Sequence, residues 1–287
     1  MKVSEILKSK KITVSCELFP PKTGSELAEA AKVVQKMAEF SPSFMSVTYG
    51  AGGSNSRNTI SVARETQKNN VPALAHLTCV GLDDQKLDDT LHELDENKIE
   101  NILALRGDIS EGETAPERFA HASDLITRIK QLRGDDFCIG GACYPEGHPE
   151  SKNIQADIEG IKRKVQSGCE FITTQMFFDN HILYSYMFKL LKNGIDVPVI
   201  AGIMPVTNAK QISRIVSLSG TALPPRFNSI VDRFADDPEA MKQAGIAYAT
   251  EQIIDLIAND VNNIHIYSMN RPDVAGSILA NLSKIIN

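Results

Sequence analysis

The chain has 287 residues, 42% of them hydrophobic and 23% charged, with a formal net charge of -6. That composition supplies a sizeable core and excludes a disordered chain. The acidic balance excludes a nucleic-acid backbone or an anionic membrane surface as the main partner and leaves a small molecule as the expected one. No apolar run approaches the ~18 residues of a membrane span, and the opening MKVSEILKSKKITV has no continuous apolar segment, so a cytoplasmic protein without export or membrane anchoring is expected.

From the start of the chain, short β-branched runs alternate with stretches of helical period. The first run is Thr13–Phe19, and SELAEAAKVVQKMAEF follows it, with Ser25 placed as the helix N-cap. Further strands are expected at Phe44–Gly50, Ala73–Val80, Asn101–Asp108 and Cys138–Tyr144. After the last of these, DIEGIKRKVQSG reads as a helix ending on Gly168. Phe171–Phe177 and Val197–Met204 are the sixth and seventh strands, the latter introduced by the Gly-containing NGIDVP, and Ile264–Met269 is the eighth. Between the seventh and the eighth lie three helical stretches, about Ala209–Ser219, Pro225–Phe234 and Pro238–Asn259.

Alternating βα units imply a parallel sheet, and near-continuous apolar strands imply burial on both faces. The expected class is therefore α/β, a (β/α)8 TIM barrel with extra helices between strands seven and eight, in one catalytic domain over residues 1–287. An open doubly wound sheet is the alternative, but no GxGxxG follows the first strand. The cysteines Cys16, Cys79, Cys138, Cys143 and Cys169 are scattered, odd in number and free of any CxxC spacing, so reduced, buried thiols are expected.

A barrel builds its active site at the C-terminal ends of its strands. Those ends carry Glu17, Thr48 and Tyr49, His76 and Thr78, Arg106-Gly107-Asp108, Tyr144 with Glu146 and His148, Gln175, and Asn270-Arg271. Each has a plain structural reading beside the functional one. Glu17 is either a working acid in an apolar strand or half of a buried ion pair. Arg106 and Asp108 are either site residues or an ion pair with each other. His76 and His148 are ligand contacts or satisfied core and rim histidines, and Gln175 needs hydrogen-bond partners from backbone or ligand. Gly50-Ala51-Gly52-Gly53 is a turn or a phosphate cradle, and Lys162-Arg163-Lys164 is a solvated face or an anion contact. The strand ends hold no lysine, and the sequence holds no GxSxG, Walker A or HExxH. What remains suits a metal site using Glu17, His76, Asp108 and His148, or an organic cofactor.

The motifs choose between them. CELFPPKT (Cys16–Thr23), SVTYGAGGS, AHLTC, LALRGD, YPEGHPE, TTQMFFD, AGIMPV and YSMNR occur in this order and together resemble the methylenetetrahydrofolate reductase family, in its short bacterial form with the catalytic barrel alone. The resemblance implies a flavoprotein that moves hydride from NADH or NADPH to non-covalently bound FAD and then to 5,10-methylenetetrahydrofolate, giving 5-methyltetrahydrofolate for methionine synthesis. It implies no metal. It places Thr48, Tyr49, Ala51, His76, Arg106, Gly107, Asp108, His121, Ala122, Tyr144, His148, Ser151, Asp157, Gly160, Arg163 and Lys164 at the flavin, although Gly160 stands where the family's bacterial pattern has Asn. Glu17 is implied as the general acid, Asp108 as a second catalytic group, and Thr48, Gln175, Gln211 and Arg271 as contacts to folate or nicotinamide. A homo-oligomer with folate and nicotinamide nucleotide as its small-molecule partners, and no nucleic-acid or membrane partner, completes the expectation.

Overall fold

The computed structural model describes residues 1–9, 11–49, 56–109, 118–212, 215–216 and 220–286. Eight parallel strands, β1 (Thr13–Leu18), β2 (Met45–Val47), β3 (Ala73–Thr78), β4 (Asn101–Leu105), β5 (Cys138–Cys143), β6 (Phe171–Thr174), β7 (Val199–Ile203) and β8 (Asn263–Ile266), pair in sequence order, and β8 closes on β1. The closed barrel excludes the open-sheet alternative. Most expected strands run two or three residues too far at their C-terminal ends, because there the chain leaves the ladder and turns its polar residues into the mouth.

Side chains alternate across the barrel wall with the period of two that a strand imposes. Val14, Cys16 and Leu18, like Met45, Val47, Ile102, Ala104, Ile264 and Ile266, point outward into the layer shared with the helices. Phe44, Leu74, Leu103, Cys138, Phe171 and Ile200 point inward and fill the bottom of the barrel. A short helix α1 (Val3–Ser9) seals that end. Its Val3, Ile6 and Leu7 pack on the inward cluster, and the Val3 N–H donates to Asn101 Oδ1 at 2.7 Å. This helix was not expected, although Val3, Ile6 and Leu7 carry the helical spacing that announces it.

The outer layer consists of α2 (Leu27–Ala38), α3 (Ser56–Lys68), α4 (Asp84–Glu96), α5 (Ala122–Arg133), α6 (Ile154–Gln166) and α7 (Asn180–Lys192), then α8 (Pro225–Phe234), α9 (Pro238–Ala258) and α10 (Pro272–Leu282). Ser25 is not a cap: it lies in a 3-10 turn, Gly24–Glu26, and α2 begins after Glu26. Gly168 does follow α6 in the left-handed region, at φ 109°, where a side chain would be strained. Of the extra stretches after β7, two are α8 and α9. The first opens as a 3-10 turn, Ala209–Gln211, and 213–214 and 217–219 lie outside the described residues. Phe178, Val206, Phe227 and Met241 form a separate apolar cluster beneath these helices. Gly245 lets α9 approach the chain after β7, since a Cβ there would lie 1.9 Å from Val206 O. All the cysteines are free and buried.

Candidate active site

The inward face of the barrel changes from apolar at the bottom to polar at the mouth. In the middle layer His265 of β8 lies between Ser15 of β1 and Ser46 of β2, with Nδ1 2.7 Å from Ser15 Oγ and Nε2 3.1 Å from Ser46 Oγ. Ser15 Oγ also lies 3.0 Å from Ile264 O, which can only accept. The single hydroxyl proton of Ser15 therefore goes to that carbonyl, His265 donates from Nδ1, and its Nε2 accepts from Ser46. Burial, with a smaller contribution from the nearby His76, holds the His265 pKa down at about 3, so the imidazole is neutral.

One step nearer the mouth, Glu17 of β1 and His76 of β3 are both buried, and Glu17 Oε2 lies 4.0 Å from His76 Nε2. Desolvation pushes the Glu17 carboxyl up to about 8 and the His76 imidazole down to about 3. At neutral pH the contact is thus between a carboxylic acid and a neutral imidazole, and it is not an ion pair. It is also too long for a hydrogen bond, and among the described residues His76 Nε2 has no partner. Beside them Tyr267, which follows β8, donates from its hydroxyl to Thr174 O at 2.6 Å. Burial, with Glu17 close by, keeps that phenol protonated. Gly202 of β7 makes room for this wall: a Cβ there would lie 2.5 Å from Thr174 O and 2.5 Å from the Tyr267 ring.

A cavity of about 480 Å³ opens next to His76 over the ends of β2 to β5. Thr48 and Tyr49 line it after β2, His76 and Thr78 on β3, and Arg106, Gly107 and Asp108 after β4. His121 and Ala122 close it at the start of α5, Tyr144, His148 and Ser151 after β5, and Asp157, Gly160, Arg163 and Lys164 along α6. Every described residue that the motifs assigned to a flavin is on this one surface; Ala51 lies outside the described residues. The volume is in the ordinary range for a ligand site, roughly 300–1,000 Å³.

The electrostatics suit an anionic, partly aromatic ligand. Lys164, half-buried with its pKa lowered by desolvation, donates to Ala142 O at 2.7 Å and sets a positive charge in the cavity wall next to Arg163. Asp157 is buried and its carboxyl pKa raised by desolvation, while among the described residues its Oδ2 has no partner. That orphaned acceptor fits hydroxyls of a sugar. Tyr144 and His148 meet edge to face, 4.5 Å between ring centroids, and the Glu150 N–H donates to His148 Nδ1 at 3.1 Å. A Cβ on Gly160 would meet only Arg163 Nη2, at 3.8 Å, so the cavity is open where the family's bacterial pattern has Asn.

Arg106 does not pair with Asp108. Its guanidinium forms a two-pronged ion pair with Glu150 of YPEGHPE, Nη2 to Oε1 at 2.7 Å and Nη1 to Oε2. The loop after β5 thus reaches Arg106 at the end of β4, while Asp108 stays exposed and lines the cavity.

The residues expected to hold folate or nicotinamide are less closely gathered. Gln175 follows β6, with its amide oxygen accepting from the Met176 N–H at 3.0 Å. Gln211 ends the 3-10 turn after β7. Arg271 follows β8 and is bound by Asp273 through Nε at 3.1 Å and Nη2 at 2.9 Å, so a ligand there would compete with that carboxylate. Among the described residues no three of His, Cys, Asp and Glu are placed to hold a metal ion, and no helix is long and apolar enough to cross a membrane. Ser15, Ser46, His265 and Glu150 were missed from sequence. The signal for the first three was available: Ser15 has the strand parity of Glu17, and Ser46 and His265 are lone polar residues inside apolar runs.

The methylenetetrahydrofolate reductase family model matches residues 2–283. A 5,10-methylenetetrahydrofolate reductase of Escherichia coli (strain K12) is 34% identical over 268 residues, covering 93% of this chain and 89% of that protein. Methylenetetrahydrofolate reductase (NADH) 1 of Arabidopsis thaliana is 32% identical over 298 residues, covering 99% of this chain and 50% of that protein, so the chain spans about half the length of such plant relatives. A Clostridium thermocellum protein that binds two copies of 5-methyl-5,6,7,8-tetrahydrofolic acid superposes over 100% of both chains with a TM-score of 0.66 at 15% identity, a likeness of fold alone.

Proposed function

This chain belongs to the methylenetetrahydrofolate reductase family, and from that premise we propose that it reduces 5,10-methylenetetrahydrofolate to 5-methyltetrahydrofolate, with FAD in the cavity over β2 to β5 and NADH or NADPH as the donor. Residues 1–287 act as one catalytic unit in this reading, and its product serves methionine synthesis. The observation that supports it is the convergence of the motif residues of three separate loops, strand β3 and helices α5 and α6 on a single cavity beside a buried acid. FAD held there would supply the two-electron hydride chemistry that links nicotinamide to folate.

The chain's own residues do the rest. Arg163 and Lys164 hold the diphosphate, and Asp157 accepts hydrogen bonds from the sugar. Folate accepts hydride only after its five-membered ring opens, which requires a proton on the departing ring nitrogen. Glu17 holds that proton, because burial in β1 keeps its carboxyl protonated to about pH 8. Neither His76 nor His265 offsets this, since both are neutral. Asp108 accepts hydrogen bonds from the pterin, and Gln175, Gln211, Thr48 and Arg271 orient folate and nicotinamide in turn.

An absorption spectrum of the purified protein tests the proposal. A flavin spectrum, from FAD that acid or heat releases, is expected, together with bleaching by NADH or NADPH and recovery on adding methylenetetrahydrofolate. A colourless protein that takes up no added FAD would overturn it.

A further inference from the structure

The Arg106–Glu150 ion pair joins the ends of two loops at the cavity wall. Arg106 is mostly buried, with its side chain 24% exposed, whereas Glu150 is 59% exposed. The pair is held from the Glu150 side as well: its N–H donates to His148 Nδ1, and the Ser151 N–H donates to His148 O at 2.9 Å. On the other side, Asp108 lies two residues from Arg106 across the left-handed Gly107, at φ 87°, and lines the same cavity. Glu150 takes one N–H from each Nη, and Gly107 O accepts from Nε at 3.3 Å, so three of the five guanidinium N–H groups are engaged within these two loops. Asp108 therefore lines the cavity without a direct ion pair to Arg106, which feels its charge only at longer range, because Glu150 holds the guanidinium.

We infer that Glu150 is a positioning residue for the redox step: by holding Arg106 it keeps the guanidinium from pairing directly with Asp108, so that the Asp108 charge acts on the group bound in the cavity. The inference rests on the reading of that cavity as the FAD site. A negative charge next to the flavin disfavours its reduced, anionic form and makes it a better donor to folate. Releasing Arg106 turns it toward Asp108, cancels that charge and reverses the effect.

The experiment is a dye-coupled redox titration of wild type, E150Q, E150D, D108N and the double variant D108N/E150Q, each with FAD bound and each checked by thermal melting. E150Q is expected to shift the flavin–dye equilibrium toward reduced flavin by roughly tenfold, which for a two-electron couple is about 30 mV. E150D, which keeps the charge, is expected to stay near wild type. In the D108N background E150Q is expected to add less than about threefold, because the carboxylate that the freed Arg106 would reach is gone. An unchanged potential in E150Q overturns the inference, as do E150D behaving like E150Q or full additivity in the double variant. An E150Q protein that is folded but holds no FAD, or that does not fold, overturns it too, since Glu150 would then be a cofactor ligand or a purely structural residue. Wild type that takes up no FAD would instead overturn the proposed function, so the two failures are distinct.

Discussion

Glu17 Oε2 and His76 Nε2 face each other at 4.0 Å in the barrel mouth, and desolvation acts on them in opposite directions, raising the acid to about 8 and lowering the base to about 3. Between those values both are neutral. Proton transfer from Glu17 to His76 would create two buried charges, so the proton stays on the carboxyl until a more basic acceptor arrives. The departing amine nitrogen of the folate ring is such an acceptor.

Replacing Glu17 by Gln removes the proton while preserving size. Reduction of bound FAD by NADH or NADPH is expected to remain within a few-fold of wild type, and transfer to methylenetetrahydrofolate to fall by about 10²–10⁴-fold, the usual range for general acid catalysis. In wild type the folate half-reaction should decline as pH rises through about 8, the Glu17 value, and flavin reduction should not share that limb. Stopped-flow traces of the separate half-reactions decide it. Equal slowing of both by Glu17→Gln would make Glu17 structural.

The same shifts predict how stability depends on pH. The folded Glu17 carboxyl has its pKa raised from 4.5 to about 8, so the folded state holds more protons than the unfolded state between those values and stability falls as pH rises through the window. His76 and His265 are lowered from 6.5 to about 3, so the unfolded state holds more protons there and stability falls as pH drops below 6.5. Each group contributes a slope of at most about 1.4 kcal/mol per pH unit. Melting temperature should therefore peak near pH 6.5. Glu17→Gln should flatten the decline between 6.5 and 8, and His265→Gln should reduce the slope of the acid limb while lowering stability at every pH through the lost Ser15 and Ser46 contacts. An alkaline limb unchanged by Glu17→Gln would count against a raised carboxyl.

The eight strands and most helices were legible because burial on both faces leaves continuous apolar runs, and Gly168 and Gly194 mark two helix ends at positive φ. The fine register was less so. Phe44–Gly50 read as one strand, yet among its described residues only Met45–Val47 form β2, since Thr48 and Tyr49 turn into the cavity; Gly50 lies outside the described residues. The site was legible where a polar residue interrupts an apolar run, as Glu17 does in VSCELF. It was not legible where the partner comes from another loop. Arg106 and Asp108 stand two apart in sequence and read either as site residues or as an ion pair, but the loop after β5 brings Glu150 to Arg106, a consequence of chain path that no local pattern records.

Gly202 is required by close approach. An added Cβ would lie 2.5 Å from Thr174 O, a backbone atom, and 2.6 Å from the Tyr267 hydroxyl. The ladder fixes the first of these, so Tyr267 must move and its 2.6 Å bond to Thr174 O breaks. Gly202→Ala is expected to cost about 1–3 kcal/mol from overpacking. Tyr267→Phe, which loses the bond without the clash, should cost about 1–3 kcal/mol by leaving the carbonyl unpaired. Because the first change includes the loss made by the second, the double variant should be less destabilised than the sum of the two. Chemical denaturation of the three proteins measures this; strict additivity would show that Tyr267 stays in place in Gly202→Ala.

Asp108→Asn is expected to raise the midpoint potential of bound flavin. A unit charge ~5 Å from a reduced, singly negative flavin contributes about 3 kcal/mol at an effective dielectric near 20. Asp108 is exposed at the cavity rim, so solvent reduces this, and a residual of ~1.4 kcal/mol corresponds to ~30 mV for a two-electron couple. Arg106 offsets the charge only in part, because its direct ion pair is with Glu150. The variant should therefore be reduced by nicotinamide more readily and oxidised by folate more slowly, with weaker folate binding because a neutral amide replaces a charged acceptor. FAD affinity and melting temperature should change little, since asparagine keeps the size and part of the hydrogen bonding. Redox titration against a dye of known potential gives the answer, and an unchanged or lowered potential would place Asp108 away from the flavin ring.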